Sequence, residues 1–186
     1  MAVDPNFLIP WQAKLKWLRW NWSNLLNEYY EMPSDQFFSD HGTMLSRRRL
    51  DVVFVDGLHT YQQSLRDIEN SLLYLQDDGV IIIDDCNPSS EAAGNPAKAL
   101  EQKEWNGDVW KSIAYLRSLR KDLNVFTLDC VYGIAILTRR PAQEFLDYTE
   151  NEIAKLTYND LSRDRAHILN MKDLTYFSTF LEFLKP

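Results

Sequence analysis

The alternation of apolar and polar positions divides the chain into strands and helices, most clearly in its middle. Val52 to Val55 and Val80 to Ile83 are apolar at every position, which is typical of strands covered by helices on both faces, and we expect the first to lie mid-sheet. Between them, apolar residues recur at spacings of three and four from Leu65 to Leu75, which predicts a helix. This pattern indicates two parallel strands joined by a right-handed crossover.

Shorter elements precede this unit. Val3-Asp4-Pro5 is typical of a strand end, because the proline stops regular pairing. The other predicted elements are a helix over about Trp11 to Asn27, a short strand over Tyr29 to Met32, a helix starting at Ser34, and then a loop containing Gly42 and Arg47.

After the second strand, the chain from Asn87 to Trp105 becomes polar and rich in small residues. Long loops at such a place usually cover a site. A helix is predicted over Asp108 to Leu119, because its apolar positions recur at helical spacing. Asn124 to Asp129 and Gly133 to Thr138 then predict two strands joined by a tight connection, so we expect the sheet to end in an antiparallel hairpin.

Length and composition fit one globular α/β domain over residues 1–186. Its core would occupy about residues 1–140, and a C-terminal helical extension with a break near Leu169-Asn170 would occupy 141–186. The 186 residues are 45% hydrophobic, which supports a sizeable buried core. A net charge of −7 disfavours binding to a nucleic-acid backbone, so we expect no nucleic-acid partner.

The cysteines and the apolar segments indicate the compartment in which we expect the protein. Cys86 and Cys130 lie beside apolar runs rather than in a spaced framework, which favours a reducing compartment and hence the cytoplasm. The N-terminal segment does not have the pattern of a signal peptide, and nowhere do 18 uncharged apolar residues run together. We therefore expect a protein without a membrane partner.

Tryptophan is concentrated near the N-terminus, at Trp11, Trp17, Trp20 and Trp22. On the predicted helix, Trp11 and Trp22 share one apolar stripe with three leucines, whereas Trp17 and Trp20 point elsewhere. Ordinary packing is one interpretation, and an oligomer contact or a substrate wall is the other.

Acidic residues follow both central strands. Asp56 comes directly after the first strand, and Asp84-Asp85 come directly after the second. Parallel strands deliver such side chains to the same edge of the sheet, where open α/β sheets bind ligands. Three carboxylates repel one another, so a divalent cation with oxygen ligands, such as Mg²⁺, is a natural occupant. The alternative is that Asp84 and Asp85 only cap loops or pair with lysine.

His59 lies three residues after Asp56, in the turn between strand and helix. An imidazole there can lean over the same edge, and its near-neutral pKa range suits a general base that takes a proton from a hydroxyl. A structural role for His59 is the alternative. His41 and His167 do not have comparable acidic neighbours in the sequence.

These motifs resemble the class I S-adenosylmethionine-dependent methyltransferases, in particular a subgroup with an Asp-Gly-x-His-x-Tyr motif after its fourth strand. The resemblance extends over roughly Val3 to Arg139. It is carried by Phe54-Val-Asp56-Gly-Leu-His59-Thr-Tyr61, Arg66-Asp67-Ile68, Gly79-Val-Ile-Ile-Ile-Asp84-Asp85, Gly107-Asp108-Val109-Trp110-Lys111 and Tyr132-Gly133.

The resemblance implies a Rossmann-like sheet of order 3-2-1-4-5-7-6, mostly parallel with an antiparallel closing strand. It implies S-adenosylmethionine as the cofactor, bound by Asp4, Asp56 and Gly57. It also implies Mg²⁺ held by Asp56, Asp84 and Asp85, with His59 as the catalytic base.

The chain departs from the family pattern at its start. Val3-Asp4-Pro5 resembles the end of the second strand, and the glycine-rich turn that normally follows the first strand is not in the sequence, whose first glycine is Gly42. We therefore expect an N-terminally shortened domain that lacks the first strand and most of the second. The edge of the strand over Val52 to Val55 would then be bare, and bare edges invite pairing. We expect a homo-oligomer through this edge or the tryptophan-rich helix.

The leading hypothesis is an enzyme that methylates the oxygen of a small hydroxylated or sugar-like acceptor. A second hypothesis is a non-catalytic methyltransferase-like subunit that binds a partner. A third is a metal-dependent hydrolase, because three carboxylates do not by themselves define a reaction.

Overall fold

A computed structural model describes residues 1–7, 27–98 and 105–184. The predicted tryptophan-rich helix, with Trp11, Trp17, Trp20 and Trp22, lies outside the described residues. The chain divides into two compact units, Met1–Arg48 and Arg49–Pro186, and each is described by itself. The expectation of a single domain over 1–186 stays a prediction.

The first unit contains a small parallel sheet and one helix. Strand β1 (Ala2–Val3) pairs in parallel with β2 (Tyr29–Tyr30). Strands were predicted at both places, but their pairing was not. Helix α1 covers Ser34–Arg48. The expectation that Gly42 and Arg47 lie in a loop is therefore wrong.

The length of α1 follows from its buried face. Phe37 and Leu45 are buried two turns apart, and His41 lies between them with its ring centroid 5.1 Å from that of Phe37. This continuous face outweighs the cost of about 1 kcal/mol for a glycine within a helix.

The second unit contains a five-stranded sheet of order β3-β4-β6-β5-β7. The unit that carries the acids is β3 (Leu50–Val55), α2 (Tyr61–Tyr74) and β4 (Leu75–Ile83), and its two strands are parallel. Beyond it come α3 (Trp110–Leu119), β5 (Asn124–Leu128) and β6 (Ile134–Thr138). Because β6 is antiparallel to both β4 and β5, it alone runs against the other strands. The prediction of a Rossmann-like, mostly parallel sheet with an antiparallel closing hairpin is confirmed.

Strand β4 is longer than predicted. A strand was predicted only from Val80, but β4 begins at Leu75 and runs through Asp77-Asp78-Gly79, with a register shift against β3 between Leu50 and Val52. Glycine suits position 79 because a Cβ there would lie only 2.8 Å from the Leu75 side chain, too close for an ordinary contact. Residues Gln76 to Gly79 lie within this irregularity, and regular pairing with β3 resumes at Val80.

The tail is mainly helical, as predicted, with α4 (Glu150–Lys155), α5 (Tyr158–Ile168) and α6 (Thr175–Leu184). The expected break near Leu169-Asn170 is present, since Asn170 adopts a left-handed φ of 49°. The two residues after it form an unpredicted strand, β7 (Met171–Lys172), parallel to β5.

Both faces of the sheet bury apolar side chains. One face packs against α2, α3, α4 and α5, with Ile81, Ile113 and Ile153 fully buried. On the other face, Phe126 and Phe180 pack together at a ring-centroid distance of 5.1 Å, which places α6 against β5. Each such side chain contributes about 1.5–3 kcal/mol when fully buried, so the tail belongs to the core of this unit.

Within the second unit, β3 is an edge strand rather than the mid-sheet strand that its apolar run indicated. Val52 and Phe54 are 62% and 56% exposed. The predicted homo-oligomer stays a prediction. None of the helices in the described residues is long and apolar enough to cross a membrane.

Candidate active site

The carboxyl ends of β3 and β4 bring the acidic residues to one edge of the sheet. Asp56 follows Val55 at the end of β3, and Asp84 follows Ile83 at the end of β4. The Asp84 N–H donates to the Val55 carbonyl at 3.0 Å, so the parallel ladder continues up to the acids. The edge predicted from the apolar patterns therefore exists.

Asp85 is the most enclosed of the acids, with 8% of its surface exposed. Its φ of 59° is left-handed, a conformation that aspartate and asparagine tolerate better than other non-glycine residues. Burial raises the pKa of the Asp85 carboxyl, whereas a positive charge on His59 and the hydrogen bond from Asn106 act to lower it.

His59 joins Asp56 and Asp85 in one cluster. Its Nε2 atom lies 3.2 Å from Asp56 Oδ1 and 3.1 Å from Asp85 Oδ2. Its Nδ1 atom lies 2.9 Å from the carbonyl oxygen of Trp105, and the two rings stack at a centroid distance of 5.2 Å. A carbonyl only accepts, so Nδ1 carries a proton and donates it.

This tautomer decides what the cluster can hold. If the ring is neutral, the lone pair of His59 Nε2 faces two carboxylate oxygens, and three acceptors converge without a donor. One ligand atom from each of Asp56, His59 and Asp85 lies within 4.8 Å of the others. Either a proton on Nε2 or a cation between the three groups satisfies this arrangement.

The other predicted site residues lie outside this cluster. Asp84 is at the same edge, but its Oδ1 accepts the Asp85 N–H at 2.8 Å. Gly57 is exposed in the turn after Asp56. Asp4 directly follows β1 in the first unit, where its Oδ1 accepts the Asn6 N–H at 2.7 Å. The cofactor and metal roles of these residues stay predictions.

The cluster is completed by Trp105 to Gly107, called here the loop return, which lies at the end of the segment that was expected to cover a site; the sequence pattern did not single out Asn106. Asn106 donates from Nδ2 to Asp85 Oδ1 at 2.5 Å. The N–H groups of Asn106 and Gly107 both donate to the Ala93 carbonyl, at 3.0 and 2.9 Å. The loop return thus lies directly against Asp85.

Gly107 allows this return to approach closely. Its φ is 61°, and a Cβ there would lie 1.7 Å from the carbonyl oxygen of His59. Only glycine fits such a position. The glycine was visible in the sequence, but nothing in its neighbourhood indicated that it packs against His59.

Asp108 fixes the start of the helix that follows His59. Thr60 at the N-cap of α2 makes no side-chain cap, and Asp108 Oδ1 instead accepts the Tyr61 N–H at 2.7 Å. A carboxylate at a helix N-terminus satisfies an otherwise unpaired amide and is favoured by the helix dipole.

A second support comes from α5. Arg165 donates from Nη1 to Asn87 Oδ1 and to the Pro88 carbonyl, the latter at 2.8 Å. Tyr158 donates to the Ser89 carbonyl at 3.0 Å, and Arg165 Nη2 donates to the Tyr158 oxygen at 3.2 Å. Both residues bind the segment that directly follows Asp85 and Cys86.

Neither cysteine belongs to the cluster. Cys86 is fully buried, and burial raises the pKa of its thiol, so it stays protonated. Among the described residues, the group with metal-ligand geometry is Asp56, His59 and Asp85.

A parallel α/β sheet with acids and an imidazole at its carboxyl edge is an arrangement suited to binding a ligand there. Residues 2–86 match the model of a family described as a methyltransferase domain. This segment contains β1 to β4 and all of the predicted site residues. The predicted resemblance to the class I S-adenosylmethionine-dependent methyltransferases is thereby confirmed.

Among solved structures, the chain is similar to the MycE methyltransferase from the mycinamycin biosynthetic pathway, in complex with Mg and SAH. The identity is 14% and the TM-score is 0.39, over 69% of this chain. The chain spans 38% of the length of that structure's chain. A search of curated proteins gave no match.

Proposed function

We propose that the chain forms part of a methyltransferase that transfers a methyl group from S-adenosylmethionine to a hydroxyl oxygen of a small acceptor. Asp56 and Asp85 would hold a divalent cation, and His59 would accept the proton of the hydroxyl. The observation that carries this proposal is the cluster of Asp56, His59 and Asp85 at the carboxyl edge of β3 and β4.

The donor set fits a divalent cation. Carboxylate oxygens suit Mg²⁺ and Mn²⁺, so Asp56 and Asp85 would supply the ligands and the Nε2 lone pair of His59 would stay available for the proton. Two acids facing one ring atom at 3.1 and 3.2 Å are a costly arrangement unless a positive charge lies among them. When bound, the cation would lower the pKa of a hydroxyl that it contacts. Asp84, at the same edge, would be the third carboxylate ligand.

His59 is well arranged to take up a proton. Its Nδ1 donates to a fixed backbone carbonyl, which leaves Nε2 as the acceptor. Asp56 and Asp85 would stabilise the imidazolium that forms, since each has an oxygen near Nε2. The Trp105 ring stacks on the imidazole and restricts its rotation.

Within the first unit, the proposal assigns Asp4 to the ribose hydroxyls of the cofactor. Asp4 is exposed directly after a parallel strand, which is where this fold uses an acid for that purpose. S-adenosylmethionine would supply an electrophilic methyl group on sulfur, which an oxygen nucleophile attacks in line.

The proposal is tested by titrating the protein with S-adenosylmethionine and S-adenosylhomocysteine in a calorimeter, with and without Mn²⁺. Methyl-labelled donor is then incubated with a set of catechols and small sugars. We expect binding of both ligands, label in an acceptor, and loss of transfer in Asp56→Asn. The matched control is Asp78→Asn, since Asp78 is an exposed acid far along β4 from the site.

Two outcomes would contradict the proposal. Absence of heat at millimolar ligand would favour the non-catalytic subunit. Cleavage of an acceptor without transfer of label would favour the metal-dependent hydrolase.

A further inference from the structure

Asn106 is the one residue of the loop return whose side chain touches the acids. Its surface is 1% exposed, and its Nδ2 donates to Asp85 Oδ1 at 2.5 Å. Its Oδ1 is buried and, among the described residues, has no hydrogen-bond partner. A buried acceptor without a donor costs about 1–3 kcal/mol. The orientation of the Asn106 side chain leaves Oδ1 unpaired but allows Nδ2 to donate to Asp85.

We propose that Asn106 is a positioning residue that orients the Asp85 carboxylate for binding a divalent cation together with Asp56. This inference rests on the function proposed above and extends it to a residue outside the matched segment 2–86. Asn106 would act through Asp85 and would not touch the cation itself.

Asn106 is suited to this role because few other contacts hold the Asp85 carboxylate in place. Asp85 lies two residues beyond Ile83, the last residue of β4 that pairs with β6. Its left-handed φ turns the chain away from the strand direction. One carboxylate oxygen faces His59 Nε2 at 3.1 Å, and the other accepts from Asn106. If the amide donor is removed, rotation about the Cα–Cβ and Cβ–Cγ bonds becomes possible, and the oxygen facing His59 is no longer held.

A purely structural role makes a different prediction. Leucine has the same branched heavy-atom skeleton as asparagine, although its methyl groups are bulkier, and Asn106→Leu removes the unpartnered Oδ1 together with the donor. If Asn106 only fills space, this substitution changes the unfolding transition and leaves metal affinity alone. If Asn106 positions Asp85, metal affinity falls in the folded protein, whatever the change in the unfolding transition. Removing a hydrogen-bond partner of a metal ligand typically lowers affinity by about 10–100-fold.

The experiment titrates Mn²⁺ alone into the full chain and follows the electron paramagnetic resonance signal of the free ion. Wild type, Asn106→Leu, Asn106→Ala and Asp56→Asn are compared, and urea unfolding is measured for each without metal. The matched control is Thr127→Val, because Thr127 is also fully buried with an unpartnered oxygen among the described residues, but lies on β5.

We expect an affinity at least about tenfold weaker in both Asn106 variants, little change in Thr127→Val, and the largest loss in Asp56→Asn. Wild-type affinity in folded Asn106→Leu and Asn106→Ala, with Asp56→Asn impaired, would overturn the positioning role and leave the proposed function standing. Failure of wild type to bind Mn²⁺ would overturn both the metal-assisted function and this inference.

Discussion

The edge formed by Asp56, His59 and Asp85 differs from the loop return at Trp105 to Gly107 in how it is encoded. The edge follows from local patterns, since each acid comes directly after an apolar strand. The return depends on contacts across the chain, because Asn106 reaches Asp85 over a separation of 21 residues and Trp105 reaches His59 over 46. The comparison shows that local patterns can supply ligands, whereas their orientation is set by distant residues.

The largest expected effect comes from Gly107→Ala, which tests whether the return needs its close approach. A Cβ would lie 1.7 Å from the His59 carbonyl oxygen, at a backbone φ of 61°. Strain and displacement together should lower the free energy of unfolding by about 2–5 kcal/mol. Urea unfolding measures the change.

Gly94→Ala is the control for that substitution, because its new Cβ would meet the Pro88 side chain at 3.2 Å and its nearest backbone oxygen, that of Ser90, only at 3.4 Å. We expect a change below about 1 kcal/mol there. Equal effects of the two substitutions would contradict the role of Gly107.

Arg165→Leu tests whether α5 supports the segment after the acids. The substitution leaves Asn87 Oδ1 and the Pro88 carbonyl without their donor, which should cost about 1–3 kcal/mol. Arg163→Leu is the control, because Arg163 forms an exposed ion pair with Asp160 and should cause no measurable loss. If both variants unfold at the wild-type urea concentration, α5 does not support this segment.

Asp108→Ala tests the distant cap on α2 and has a smaller expected effect. Losing the acceptor for the Tyr61 N–H should cost about 1 kcal/mol. Asp108→Asn retains an oxygen in the same place and should preserve most of the stability. A loss in the asparagine variant equal to that in the alanine variant would show that the charge, rather than the cap, matters.

The smallest expected effect concerns Asp85→Asn. Burial raises the pKa of Asp85 above its unfolded value, so its contribution to stability is present at low pH and is lost as the pH rises through the folded pKa. Asparagine tolerates the same left-handed φ and does not carry the charge. As the pH rises from about 3 to 7, the free energy of unfolding of Asp85→Asn should therefore increase relative to that of wild type. The variant should also lose metal binding.

Thermal unfolding at several pH values measures this difference. A gap between Asp85→Asn and wild type that is constant with pH would contradict the assignment of the raised pKa to this carboxyl.

Much of the fold and part of the site follow from the sequence because their signals are local. The apolar runs and the helical spacing between them predicted β3, α2 and β4, and their order predicted the acidic edge. His59 was singled out because it lies close to Asp56 in the chain, and it does join the cluster.

Other features do not have a local signal. Strand β7 has two residues, too few for an alternating pattern, and depends on pairing with β5. The contact of Arg165 with Asn87 joins residues 78 positions apart. Asp84 has the same local signal as Asp85, because both follow β4 directly. Its Oδ1 nevertheless accepts the Asp85 N–H, and it lies outside the cluster of Asp56, His59 and Asp85.

The position of these supports has a practical consequence for anyone who wishes to transplant the site. A fragment cut at Cys86, where the family match ends, retains every proposed ligand but discards Asn106 and Arg165. A graft of the acidic edge onto another scaffold must therefore include the return and the α5 contact, or replace each with a donor in the same place.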